Sequence, residues 1–139
     1  MDAALLDTDM LNEVLKHRNP YVVQHGTAYL RQHSQFAISA ITRYELLRGL
    51  KERGATAQLA RFELFCQRTH IEPVSGAILD RATDLWVLAR QGGFPARDAD
   101  LIIAATSLEL NRGLVTGNTA HFSWIPSLSL ENWRQPISG

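Results

Sequence analysis

The chain has 139 residues, with 14 Lys+Arg against 14 Asp+Glu, and is 45% hydrophobic and 20% charged. Length and composition are those of an ordinary soluble globular protein and predict a single domain over residues 1–139. They exclude a membrane span, since no segment approaches roughly 18 consecutive apolar residues, and an internal disulfide, since Cys66 stands alone. The zero net charge gives no global signature of a nucleic-acid binder. Asp2 and Asp7 occupy the place where a secretory signal would carry basic residues, so a cytoplasmic location is expected.

In chain order, "AALLD" (3–7) reads as a short buried strand. "TDMLNEVLKH" (8–17) places Leu11, Val14 and Leu15 at helical spacing, with Thr8 or Asp9 as its N-cap. Pro20 opens a second helix to about Arg31, and "FAIS" (36–39) is a second strand. "ITRYELLRGLKER" (41–53) is a helix with Gly54 as its C′ residue, and "TAQLARFELFCQRT" (56–69) is another. Cys66 on that helix reads as a small buried hydrophobe. "IEPV" (71–74) is a weak strand limited by Pro73. "GAILDRATDLWVLARQG" (76–92) is a helix with Ile78, Leu79, Ala82, Leu85, Trp86 and Ala89 inward. "DADLIIAATSLELNRG" (98–113) is a more apolar helix, "LVTGN" (114–118) a strand running into a turn, and "SLSLENW" (127–133) a final alternating strand. Alternation of short apolar runs with helices predicts an α/β fold around a parallel sheet.

Ligands of open parallel sheets sit beyond the carboxyl ends of the strands. Asp7 ends the first strand, Glu45 lies early in the helix after the second, Asp98 and Asp100 open the helix before "LVT", and Asn118 follows it. Each has an ordinary local role available: a helix cap, a solvated acid, a first-turn acid favoured by the helix dipole, a turn residue. Together on one rim, the acids raise one another's pKa unless a cation compensates them. Hard oxygen ligands suit Mg²⁺ or Mn²⁺, ions that assist phosphodiester hydrolysis.

The blocks "LLDTDMLNEVL", "ISAITRYELLRGL", "DADLIIAATSLELNRGLVTGNTAHF" and "IPSLSLENW" together resemble PIN-domain ribonucleases, nearest to the VapC toxins of bacterial VapBC type II toxin–antitoxin modules. The resemblance runs essentially end to end and is weakest over about 54–76. It implies a three-layer α/β/α sandwich with a central parallel sheet. It also implies a Mg²⁺- or Mn²⁺-dependent endoribonuclease that leaves a 5′-phosphate and a 3′-hydroxyl and inhibits translation or growth. By the same resemblance Asp7, Glu45 and Asp100 are the metal ligands, with Asp98 second to Asp100. Asn118 is the fourth polar position, and Thr8 and Thr116 are hydroxyls beside the ligands. Asp98 and Asp100 stand about 200° apart around a helix, so both are not expected to face one pocket. Asp9 replaces a small polar residue and His121 an acid, which leaves Asp9 open and makes His121 a surface variation or a substrate contact.

The resemblance further implies a cognate VapB-type antitoxin, a homodimer, and DNA binding only through the antitoxin. Arg43, Arg48, Lys51, Arg53, Arg97 and Arg112 are candidate phosphate contacts, and Tyr44 and Phe94 candidate base-stacking rings. Trp86 is expected in the core, and Trp124 and Trp133 as anchors of the C-terminal segment. His17, His25 and His33 do not follow a zinc pattern. Two other readings remain: a PIN domain that binds RNA without cutting it, and a haloacid-dehalogenase-type phosphatase suggested by the D-T-D of residues 7–9.

Overall fold

Leu5 of the first strand points to one side of the sheet and Ala4 and Leu6 to the other, and this alternation organises the whole molecule. The computed structural model describes residues 2–137. Its elements run β1 (Ala4–Leu6), α1 (Thr8–Lys16), α2 (Pro20–His33), β2 (Ala37–Ser39), α3 (Ala40–Glu52), α4 (Thr56–Gln67), β3 (His70–Glu72), α5 (Gly76–Gly92), α6 (Asp98–Glu109), β4 (Gly113–Val115), α7 (Thr119–Phe122) and β5 (Leu130–Glu131).

All strand pairs are parallel. Leu5 of β1 pairs with Leu114 of β4, Leu114 with Leu130 of β5, and Ile38 of β2 with Ile71 of β3. The hydrogen-bonded ladder is interrupted between β2 and β1, which nevertheless lie side by side. The resulting order across the molecule is β3-β2-β1-β4-β5.

One apolar layer joins Ala4, Leu6, Ile38 and Val115 to Met10, Val22, Tyr29, Leu50, Phe62 and Trp133, under α1 to α4. The opposite layer joins Leu5, Ala37 and Leu114 to Ile78, Ala82, Leu85, Leu101 and Ile103, under α5 and α6. These two layers of helices around a parallel sheet are the expected α/β/α sandwich.

Several local expectations are corrected. Asp7, not Thr8 or Asp9, is the N-cap of α1. The stretch predicted to be helical to 113 leaves the helix after Glu109, and Gly113 already pairs in β4. Within 127–133 only Leu130–Glu131 is strand. Leu79 and Trp86 are 46% and 44% exposed rather than inward. Helix α5 packs chiefly on α6 through the narrow stripe Ile78, Ala82, Leu85 and Ala89, and residues one step off that stripe turn outward. Tyr44 is exposed beneath the Arg48 guanidinium, and Cys66 is half-buried. Gly54 meets its expectation, following the Arg53 cap of α3 with φ +62°.

Candidate active site

The carboxyl ends of β1 and β4 carry the first two site residues. The Asp7 N–H donates to Val115 O at 3.0 Å, extending the ladder by one residue before the chain turns into α1. This buries Asp7 to 3% exposure. Its Oδ1 accepts from the Met10 N–H at 2.7 Å. The buried Thr116 hydroxyl also bonds to the Asp7 carboxylate, and Thr116 Oγ1 accepts the Asn118 N–H at 2.9 Å. Burial pushes the Asp7 carboxyl up from 3.8 to about 6, against these hydrogen bonds, with the charges of Asp9 and Asp100 adding to the rise.

Helix α3 supplies Glu45. Thr8 Oγ1 donates to Glu45 Oε1 at 2.7 Å and lies 3.1 Å from Thr42 Oγ1, so the first turn of α1 is fastened to α3. Arg48 reaches the other Glu45 oxygen at 3.8 Å. Helix α6 supplies Asp100, whose Oδ2 lies 3.6 Å from His121 Nδ1 and 4.0 Å from Arg97 Nε. Burial raises the Asp100 carboxyl, Arg97 and His121 oppose the rise, and Glu45 adds to it. Asp100 thus acts on Asp7, and Glu45 on Asp100, which links the three carboxyls in a chain of like charges.

Asp98 does not join them. It is exposed and borders a hollow with Leu79, Ala82 and Thr83 of α5. Asn118 is exposed on the rim, immediately before α7. Among the predicted cations, Arg48 and Arg97 reach the acids, whereas Arg43 interacts with Cys66. Arg112 instead lines a cleft of about 980 Å³ at the amino ends of the strands, with Asp2 and Ser107. Phe94 is already stacked on Trp124 at 5.2 Å.

One residue at the site has no forerunner in the sequence analysis. Arg134, in the C-terminal segment, places Nη2 2.9 Å from Asp9 Oδ2 and 3.4 Å from Glu13 Oε1. Its Nη1 fills the space where a Cβ at Gly117 would stand. Asp9 thereby acquires a partner and ceases to be an unexplained acid. No local pattern around "ENWRQP" signals this contact, which spans 125 residues.

The donor set consists of hard carboxylate oxygens in a partly desolvated, like-charged cluster, which suits Mg²⁺ or Mn²⁺ rather than a soft metal. Among the described residues, no three His, Cys, Asp or Glu side chains are disposed to hold an ion as they stand. Glu45 is turned to Thr8 and Arg48, and Asp100 to His121 and Arg97.

The PIN domain family model matches residues 4–125. The chain is 30% identical over 131 residues to Ribonuclease VapC2 of Rickettsia felis, covering 93% of this chain and 96% of that protein. The solved structure of VapBC2 from Rickettsia felis, bound to a DNA fragment from its promoter, is similar with a TM-score of 0.84 at 27% identity, over 94% of this chain and 98% of that one. VapBC-1 from nontypeable Haemophilus influenzae gives a TM-score of 0.83 at 25% identity, over 96% and 99%.

Proposed function

Because the chain belongs to the PIN-domain family and is a VapC-type ribonuclease within it, we propose that it is a divalent-ion-dependent endoribonuclease toxin. In this reading it hydrolyses RNA phosphodiester bonds in the cytoplasm and so inhibits translation or growth. The observation that carries the reading is Asp7, a carboxyl buried at the end of β1 and raised to about 6 with Asp100 adding to the rise, while Glu45 in turn pushes up Asp100. A bound cation would relieve the burial and repulsion in such a cluster.

Asp7, Glu45 and Asp100 would hold Mg²⁺ or Mn²⁺. When bound, such an ion polarises a phosphoryl oxygen and strengthens water as a nucleophile. The chain's own groups set the geometry. Thr116 and the Met10 N–H fix both the position and the charge of Asp7. Thr8 aims Glu45 from across the α1–α3 contact. Asn118, exposed beside Thr116, is assigned to orient the attacking water or the phosphate. Asp98, facing α5, has no part in this assignment.

The solved relatives are VapBC complexes, one of them on promoter DNA. They support a cognate VapB-type antitoxin for this chain; a homodimeric toxin and DNA contact through the antitoxin alone belong to the same proposal. Family membership leaves the phosphatase reading without support.

The test is cleavage of candidate RNAs with Mn²⁺, paired with mapping of new 5′ ends after induced expression. Cleavage that is lost in Asp7→Asn and in Asp100→Asn is the expected result. Equal cleavage by folded variants would overturn the assignment. Metal-independent RNA binding with no cleavage under any condition would favour a non-catalytic RNA-binding PIN domain.

A further inference from the structure

We propose that Arg134 is a phosphate-binding residue that positions the RNA beside the acidic cluster, a role that rests on the ribonuclease reading above. Four observations lead to it. Arg134 is held in place from both sides. Before it, Trp133 is fully buried, and the Arg134 N–H donates to Asn132 Oδ1 at 2.9 Å. After it, the Gln135 carbonyl lies 2.8 Å from Nε2 of the buried His25. The guanidinium is therefore delivered by a fixed backbone, and its side chain is less exposed than those of Arg48 and Arg97, at 59% and 67%.

Second, Asp9 and Glu13 both make their closest approach to the same nitrogen, Nη2. An arginine presents five N–H donors in a planar fork matched to phosphate oxygens. Fastening one nitrogen orients the rest. Third, Nη1 lies against Gly117, between Thr116, which holds Asp7, and Asn118 on the rim. The fork thus meets the chain between two residues assigned to the proposed chemistry. Fourth, the Arg134 side chain is 33% exposed, so the fork remains open to a ligand from solvent.

The need for such a cation is physical. A phosphodiester approaching Asp7, Glu45 and Asp100 is repelled by them, and an ion at the acids compensates only the phosphate it contacts. A neighbouring phosphate needs its own positive partner, and a preorganised arginine provides one at little entropic cost. Gly117 acquires a reason as well, since any side chain there displaces Nη1.

The experiment uses the full chain carrying Asp100→Asn, so that RNA binds without being cut, and a fluorescein-labelled single-stranded RNA of mixed sequence. Arg134→Met should weaken binding about tenfold and reduce the slope of log affinity against log salt by about 0.7, the loss of one phosphate contact. Arg134→Lys should restore the slope but only part of the affinity. Gly117→Ala keeps every charge yet moves the guanidinium, and should behave like Arg134→Met, with no further loss in the double variant. In the cutting enzyme, at about pH 8 and saturating Mn²⁺, Arg134→Met should raise KM with kcat little changed.

Unchanged RNA affinity and salt slope in Arg134→Met, with the parent still binding, would show Arg134 to be only a counter-charge for Asp9. If the parent binds no RNA and the unmodified chain cuts none, the ribonuclease reading falls together with this one. If the unmodified chain cuts RNA and Arg134→Met cuts it with the same KM, this proposal alone falls.

Discussion

Asp7 Oδ1 accepts the Met10 N–H at 2.7 Å, so the carboxylate proposed to hold a divalent ion is also the N-cap of α1. Both duties favour the ionised carboxylate, and burial opposes it. Burial raises Asp7 from 3.8 to about 6, so ionising it costs the folded state about 3 kcal/mol. The folded chain binds the proton more tightly than the unfolded chain does. The associated stability is full below about pH 4, fades as pH rises, and is gone above about pH 6. Asp7→Asn keeps the capping oxygen and never ionises. In EDTA at about pH 8 it should melt several degrees above the unmodified chain, with the gap closing near pH 4. Asp7→Ala loses the cap and should gain less. Thermal denaturation over pH 4–8 checks both, and an Asp7→Asn protein no more stable at pH 8 refutes the strained-carboxylate account.

Thr8 has one hydroxyl proton, and a carboxylate is the stronger acceptor, so the proton goes to Glu45 rather than to Thr42. Thr8→Val preserves the shape and removes this donor. Partners of metal-ligating groups typically change affinity or activity by about 10- to 100-fold when lost. We expect Mn²⁺ affinity and kcat to fall at least tenfold, with the melting temperature nearly unchanged and Thr8→Ser restoring most of the loss. Calorimetric Mn²⁺ titration distinguishes this from a packing effect, because a merely structural Thr8 would shift the melt and leave Mn²⁺ affinity alone.

Trp133 is fully buried against Tyr29 and Phe36, at ring separations of 5.7 and 6.1 Å, and it ties the last residues of the chain to the α2 layer. Trp133→Ala should cost about 3–5 kcal/mol. Trp133→Phe should cost much less, because the indole Nε1 is buried with no hydrogen-bond partner among the described residues, and removing that donor offsets part of the lost packing. Urea denaturation of the two variants gives the comparison. Equal destabilisation would mean that Nε1 is satisfied in solution.

The layers were legible because strand periodicity is local: Ala4, Leu5 and Leu6 declare two apolar faces, and parallel pairing follows from the helices between strands. The separation of Asp98 from Asp100 was legible too, because helix geometry turns residues two apart to different sides, and Asp98 borders α5 while Asp100 approaches His121. Leu79 and Trp86 were misread because hydrophobicity cannot say how many neighbours a helix has, and α5 rests mainly on one. Arg134 was invisible for a different reason. Its partners Asp9 and Glu13 lie at the other end of the chain, and only the parallel pairing of β5 beside β4 brings them together. Arg112 failed in the same way, lying at the amino ends of the strands rather than at the carboxyl rim.

Binding of a divalent ion should follow the protonation of Asp7. Carboxylate ligands bind only when deprotonated, so Mn²⁺ affinity should rise with pH through about 6, where the buried Asp7 carboxyl loses its proton. Asp9 is one of the charges that push Asp7 upward. Asp9→Asn removes that repulsion and favours the ionised form of Asp7, so the midpoint of the Mn²⁺ affinity profile should move to lower pH. The opposite shift is expected for Arg134→Met, which leaves Asp9 without its positive partner and exposes Asp7 to the full negative charge. Thus two variants that break the same ion pair should move the profile in opposite directions, which loss of fold cannot do. Mn²⁺ titrations between pH 5 and 8 measure both midpoints, and shifts in the same direction would refute the electrostatic coupling of Asp7 to this pair.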